Sequence, residues 1–130
     1  MGWPEVFIVF ALSHLAGDFL LQTDWQAENK AGGLGRDPVA RRALASHTAT
    51  YTLAFVPALI WLAGDIGAKA LGIAALVAVP HFVQDDGRLM SAYVRRVKGP
   101  GARGVPAVMI AADQALHMLA LFGAALLATA

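Results

Sequence analysis

Four apolar stretches divide this chain of 130 residues, near 4–23, 43–63, 69–86 and 105–129. Each approaches the roughly 17–25 residues that a bilayer-spanning helix needs. Backbone polar groups in lipid must be satisfied within the protein, so stretches of this kind are read as helices. Only 15% of the residues are charged and 58% are hydrophobic, against about 25% charged in an ordinary soluble domain. The expected fold is therefore all-α, an integral membrane four-helix bundle forming one domain over residues 1–130. Cysteine is absent, which excludes disulfides, thiolate ligands and thiol catalysis. Met1 to Glu5 contains no Lys or Arg, so the first stretch reads as a retained span rather than a cleaved signal.

The connections carry an asymmetric charge. Lys30, Arg36, Arg41 and Arg42 lie in 24–42, and Arg88, Arg95, Arg96, Lys98 and Arg103 lie in 87–104, whereas Lys69 alone serves the other side. The positive-inside rule then places both long connections in the cytoplasm and both termini outside. Trp3 and Trp61 mark the outer interface and Trp25 the inner one. Pro4 and Pro106 suit first helical turns, and Pro80 is expected to kink the third span just before His81. Small residues crowd the third and fourth spans, including Gly72, Ala74, Ala78, Ala111, Ala115 and Gly123, where they would let helices approach closely. Residues 87–98 read as an amphipathic helix, with Leu89, Met90, Tyr93, Val94 and Val97 on one face. Such a basic helix suits an anionic lipid surface, although a solvated basic loop explains the same residues.

The ionisable residues inside the spans are histidines and aspartates. His14 and Asp18, His81 and Asp85, and Asp113 and His117 form i, i+4 pairs, and His47 stands on a further span. Residues four apart share one helix face. All seven fall in the cytoplasmic half of the expected bundle. A charge at mid-bilayer costs at least about 2.5–3.5 kcal/mol, and no Lys or Arg within the spans neutralises Asp18, Asp85 or Asp113. Hydrogen-bonded His–Asp pairs would answer that cost. So would one or two divalent transition metals, with Zn, Mn or Fe suiting imidazole and carboxylate donors. The metal set is His14, Asp18, His47, His81, Asp85, Asp113 and His117. Gln22 and Gln114 are candidates to orient carboxylates, and Gln84 is expected to bond between helices. Asp86 is expected at the interface, and Ser46, Thr48, Thr50 and Thr52 are expected to satisfy backbone or neighbouring helices. His-x-x-x-Asp, followed about thirty residues later by a further histidine, also occurs twice, as a weak internal repeat.

The run His14-Leu-Ala-Gly-Asp18-Phe-Leu-Leu-Gln22-Thr-Asp24-Trp25, continuing to Asn29-Lys30, resembles the signature of a family of small bacterial membrane proteins, domain-of-unknown-function family 3307. His47, His81-x-x-x-Asp85 and Asp113-Gln114-x-x-His117 resemble its other blocks. The resemblance implies a multi-pass protein of the bacterial cytoplasmic membrane and no established activity. A looser likeness joins it to membrane-bound families described as metal-dependent hydrolases. Members of the family often carry a lysine soon after the third-span block, where the nearest basic residue here is Arg88.

The function that follows is a membrane-embedded, metal-dependent hydrolase acting at the cytoplasmic leaflet on a lipid or other phosphoester. Water would be the nucleophile, with Asp18, Asp85 or Asp113 acting catalytically as general base. Arg88, Arg95, Arg96 or Arg42 would hold an anionic head group. The expected surroundings are the bilayer and anionic lipid head groups, with homo-oligomers allowed and no feature calling for nucleic acid. Metal-ion or proton transport is an alternative, but the outer halves of the spans lack ionisable residues. A bis-histidine haem carrier fits poorly beside so many carboxylates. A structural or regulatory membrane protein is the remaining alternative.

Overall fold

The computed structural model describes residues 1–130, and all of its regular structure is helical. Helix α1 (Trp3–Leu15) opens with Pro4 in its first turn, and the Glu5 carboxylate accepts from the Gly2 amide at 2.7 Å. It runs straight into a π-helical turn, Ala16–Leu20, closed by the Leu21 amide on the Ala16 carbonyl at 2.9 Å. Helix α2 (Asp24–Asn29) is started by a reciprocal cap. Thr23 Oγ1 accepts from the Gln26 amide at 3.2 Å, and Gln26 Oε1 accepts from the Thr23 amide at 3.0 Å.

Helix α3 (Pro38–Ile66) begins more than a turn earlier than the apolar run suggests. Asp37 Oδ1 accepts from the Val39 amide at 2.9 Å, and Pro38 is set for the first helical position. Capping chemistry, not hydropathy, sets that boundary, so Arg41 and Arg42 lie on the helix rather than in a loop. Helix α4 (Lys69–Asp85) continues without interruption through Pro80. Gly87, at φ +84°, supplies the left-handed residue that turns the chain into α5 (Arg88–Val97). A short 3₁₀ turn, Pro100–Gly104, leads to α6 (Pro106–Ala128).

Helices α1, α3, α4 and α6 share one core. Val6 and Phe10, Tyr51, Phe55, Ala58 and Leu62, Ile73 and Val77, and Leu121, Ala124, Ala125 and Ala128 all belong to it. These residues recur at intervals of three or four, one inward stripe per helix. Their outward faces are equally apolar: Leu20 is 81% exposed, Leu71 77%, Ile60 69% and Leu119 66%. Three helical stretches, Trp3–Leu20, Pro38–Ile66 and Pro106–Ala128, are long and apolar enough to cross a membrane. Helix α4, with 17 residues, stands at the lower limit of about 17.

Helix α5 forms where the amphipathic pattern places it. Only Met90 and Val94 of its apolar face are buried, against Ala112 of α6, while Leu89, Tyr93 and Val97 stay exposed. Alanines of α6, Ala124, Ala125 and Ala128, are buried in the shared core, but the glycines of α4 and α6 are not at close contacts. Gly72 and Gly123 face open space, whereas a Cβ on Gly17 would lie 2.7 Å from Cδ2 of Tyr51. Gly17→Ala is therefore expected to cost about 1–3 kcal/mol as an overpacked contact. Gly72→Ala is expected to be neutral or slightly stabilising, as for an uncrowded helical site. Thermal melting of the two detergent-purified variants checks both.

Candidate metal centre

Followed along each helix, the inward stripe changes from apolar to polar. Val6 and Phe10 lead to His14 and then Asp18; Phe55 and Tyr51 lead back to His47; Ile73 and Val77 lead to His81 and Asp85; and Leu121 leads back to His117. These six His and Asp residues are buried. The π turn widens α1 at Asp18, a distortion often found at functional sites, and Gly17 lets the ring of Tyr51 pack against that turn.

Asp18, His47, His81 and Asp85 each offer one donor atom, and the four atoms lie within 4.8 Å of one another. His47 Nε2 lies 3.1 Å from Asp18 Oδ1, 3.0 Å from Asp85 Oδ2 and 3.0 Å from His81 Nε2. His81 Nε2 lies 3.5 Å from Asp18 Oδ1 and 3.1 Å from Asp85 Oδ2. Four ligands placed tetrahedrally at about 2.0–2.1 Å from one ion would stand about 3.3 Å apart. The five separations fall on both sides of that value. One imidazole nitrogen has either a single proton or a single lone pair, so His47 Nε2 cannot satisfy three neighbours by ordinary hydrogen bonding. The donor set thus fits a divalent ion bound through the Nε2 atoms. The outer Nδ1 atoms of His47, His81 and His117 are buried without a protein partner, so their orientation comes from packing. The ring of Tyr51 stacks on that of His81 at 3.4 Å and 8°.

A second group joins this one through Asp85, whose other oxygen, Oδ1, lies 2.9 Å from His117 Nε2. Asp113 stands beside that pair, half-buried, within ligand spacing of both. His14 is close but engaged at both ring nitrogens. Its Nδ1 meets the Tyr51 hydroxyl at 2.9 Å and its Nε2 meets Gln114 Oε1 at 2.8 Å, while Asp18 Oδ2 is 3.7 Å away. Gln114 therefore orients a histidine more directly than a carboxylate.

The spans themselves carry no Lys or Arg to neutralise the carboxylates, but Lys30 reaches one of them from the connection outside the spans. Its ammonium, carried by the connection after α2, lies 2.7 Å from Asp85 Oδ2 and 2.6 Å from Gln22 Oε1. The connection is secured to the end of α4. The Gly32 amide donates to the Asp86 carbonyl at 2.8 Å, and the Leu34 amide donates to Asp86 Oδ1 at 2.8 Å. Gly33 fits where any Cβ would lie 2.5 Å from Leu44 Cβ and 2.7 Å from the Ala40 carbonyl. Asp86 is consequently buried, not interfacial as its position at the span end suggests, and it also pairs with Arg88 at 2.9 Å. Lys30 was legible only as part of the Asn29-Lys30 end of the first block, because distance in sequence hides a long side chain reaching inward. Tyr51 carried no signal beyond its place on a helix.

Of the proposed head-group residues, Arg88 is held by Asp86, and Arg95, Arg96 and Arg42 are exposed. Gln84 bonds between helices as expected, to the Leu116 carbonyl at 3.3 Å. Ser46, Thr50 and Thr52 bond local backbone, whereas buried Thr48 Oγ1 has no partner. A cavity of about 10 Å³ adjoins Tyr51, His81, Gln84 and His117, room for at most about one water.

These features define a class: an all-helical, largely apolar protein with a buried histidine–aspartate centre shared by four helices. The chain belongs to the family of proteins of unknown function DUF3307, which it matches over residues 6–130. No curated protein and no solved structure matches it.

Removing the ammonium leaves a buried carboxylate oxygen short of a partner, a loss of about 1–3 kcal/mol. Lys30→Met is expected to lower the melting temperature of chelator-treated protein accordingly. A saturating divalent metal should recover most of the difference, as measured by melts with and without the ion.

Proposed function

We propose that this protein is a multi-pass component of the bacterial cytoplasmic membrane that binds a divalent transition metal, Zn, Mn or Fe(II), and acts as a hydrolase at the cytoplasmic leaflet. The observation that carries the metal reading is the cage of Asp18, His47, His81 and Asp85, with donor separations of 3.0 to 3.5 Å. In the proposed topology α1, α3, α4 and α6 form a four-helix bundle with both termini outside. The exposed apolar side chains face lipid, and the Arg-rich ends of α3 and α5 lie in the cytoplasm. The centre then sits at the cytoplasmic end of the bundle.

A divalent ion held there would supply the Lewis acidity that hydrolysis at neutral pH requires. Asp18 and Asp85 would act as ligands. Tyr51, Gln114 and His14 would hold the geometry, and Asp113 at the edge would remain available to take a proton or a further ligand role. Lys30, with the exposed Arg95 and Arg96, would attract an anionic substrate such as a lipid phosphate. The connection carrying Lys30 closes the centre, so a substrate would reach it only when that connection moves.

A metal-free network is the second reading, and the Lys30–Asp85 ion pair at 2.7 Å favours it. Transport is supported less well. Beyond the centre Phe10, Phe55, Leu62 and Leu121 fill the interior, leaving no polar continuation.

Elemental analysis of detergent-purified protein is expected to find tightly held divalent metal, at least one ion per chain, lost in His81→Ala. A folded, active-length protein that never retains metal would favour the metal-free network. Hydrolysis of a phosphoester and phospholipid panel is expected to fall at least about a hundredfold in Asp18→Ala. A metal-loaded protein inert across that panel would remove the hydrolase reading and keep the metal site.

A further inference from the structure

Each of the two buried aspartates divides its oxygens between two groups of histidines. Asp85 presents Oδ2 to His47 and His81, at 3.0 and 3.1 Å, and Oδ1 to His117, at 2.9 Å. Asp18 presents Oδ1 to His47 and His81, at 3.1 and 3.5 Å, and Oδ2 toward His117 and His14, at 3.9 and 3.7 Å. A carboxylate serving one ion has no need of nitrogen donors on both sides. Two carboxylates dividing in the same sense have the arrangement of ligands that bridge a pair of ions, a type of centre that helical bundles can hold.

We propose that the centre holds two divalent ions bridged by Asp85 and Asp18. The first is bound by His47 and His81. The second is bound by His117 and Asp113, which with Asp85 form a donor group of their own. This rests on the metal reading above and extends it. His14, engaged by Tyr51 and Gln114, is a positioning residue beside the second ion.

Formal charge says how the two ions load. Asp18, Asp85 and Asp113 contribute −3 and Lys30 contributes +1, a sum of −2. One dication brings the group to neutrality, and a second raises it to +2. Surplus positive charge in an apolar surrounding is costly, so the second ion binds more weakly and loads together with an anion. A tetrahedral oxyanion such as phosphate suits both the charge and the pair of Lewis acids, and it enters when the connection carrying Lys30 moves aside, because the adjoining cavity holds no more than about one water. The substrate class is accordingly a phosphoester, its phosphate facing both ions and Lys30.

Mn²⁺ titration of chelator-treated, detergent-purified protein, followed by electron paramagnetic resonance, tests this directly. The expected result is one tight ion, then a second, weaker ion whose arrival produces an exchange-coupled Mn–Mn signal. Inorganic phosphate should tighten the second step by about tenfold, within the usual range of linked binding. His117→Ala should bind a single ion and give the isolated six-line signal, and Asp113→Ala gives a second route to the same result should His117→Ala not fold. A wild-type protein that takes up one ion, with or without phosphate, overturns the two-ion centre and leaves the metal reading intact. A folded wild-type protein that takes up none overturns both.

Discussion

Two carboxylates, Asp18 and Asp85, are held inside an apolar interior, and much of the surrounding structure answers their charge. Burying an ionised carboxylate without compensation is prohibitively costly. Three histidines converge on the pair, and Lys30 reaches in from outside the long helices to meet Asp85 at 2.7 Å. The connection that brings Lys30 is in turn secured through Asp86 and through the close fit of Gly33 against α3. Tyr51 couples the centre to the core, with its hydroxyl on His14, its ring on His81 and its edge against Gly17.

Much of this could be read from the residues alone. The apolar runs located the four long helices, and the basic pattern of 87–98 located α5. The i, i+4 pairs marked the faces that meet, because a helix carries its inward stripe past the core without changing period. Boundaries and distortions were less legible. Asp37 and Pro38 begin α3 before its hydropathy rises, and nothing in Ala16–Leu20 announces a π turn, since Gly17 is required there by the close approach of Tyr51 rather than by the turn itself. Asp86 was misread because it lies at a span end, where sequence position says interfacial but the folded connection buries it; Lys30 was passed over because it lies in a connection between spans, from which its side chain turns inward. The split of each carboxylate between two histidine groups could not be read at all, since it depends on how four helices are turned about their axes.

The division of the interior into an apolar half and a polar half also bears on chemistry. Phe10 and Phe55, in edge contact at 5.7 Å between ring centroids, close one end of the centre. On another side the connection from Lys30 to Leu34 reaches the centre through Lys30 and is held to the end of α4 through Asp86. A centre sealed on one side and strapped on the other keeps its donors dry, which strengthens every electrostatic interaction within it.

The distribution of those donors over four helices has a consequence for biogenesis in the proposed topology. No single helix carries the whole polar load: α3 brings one histidine to the centre, while α1 with its π turn, α4 and α6 each bring one histidine and one aspartate. Each segment can therefore enter the bilayer at a modest individual penalty, and the dense polar centre comes into being only when the helices associate. Helix α4, with 17 residues and both His81 and Asp85, is the segment least able to insert unaided. Its retention would depend on partners already in place, so the order of helix assembly is written into where the polar residues fall.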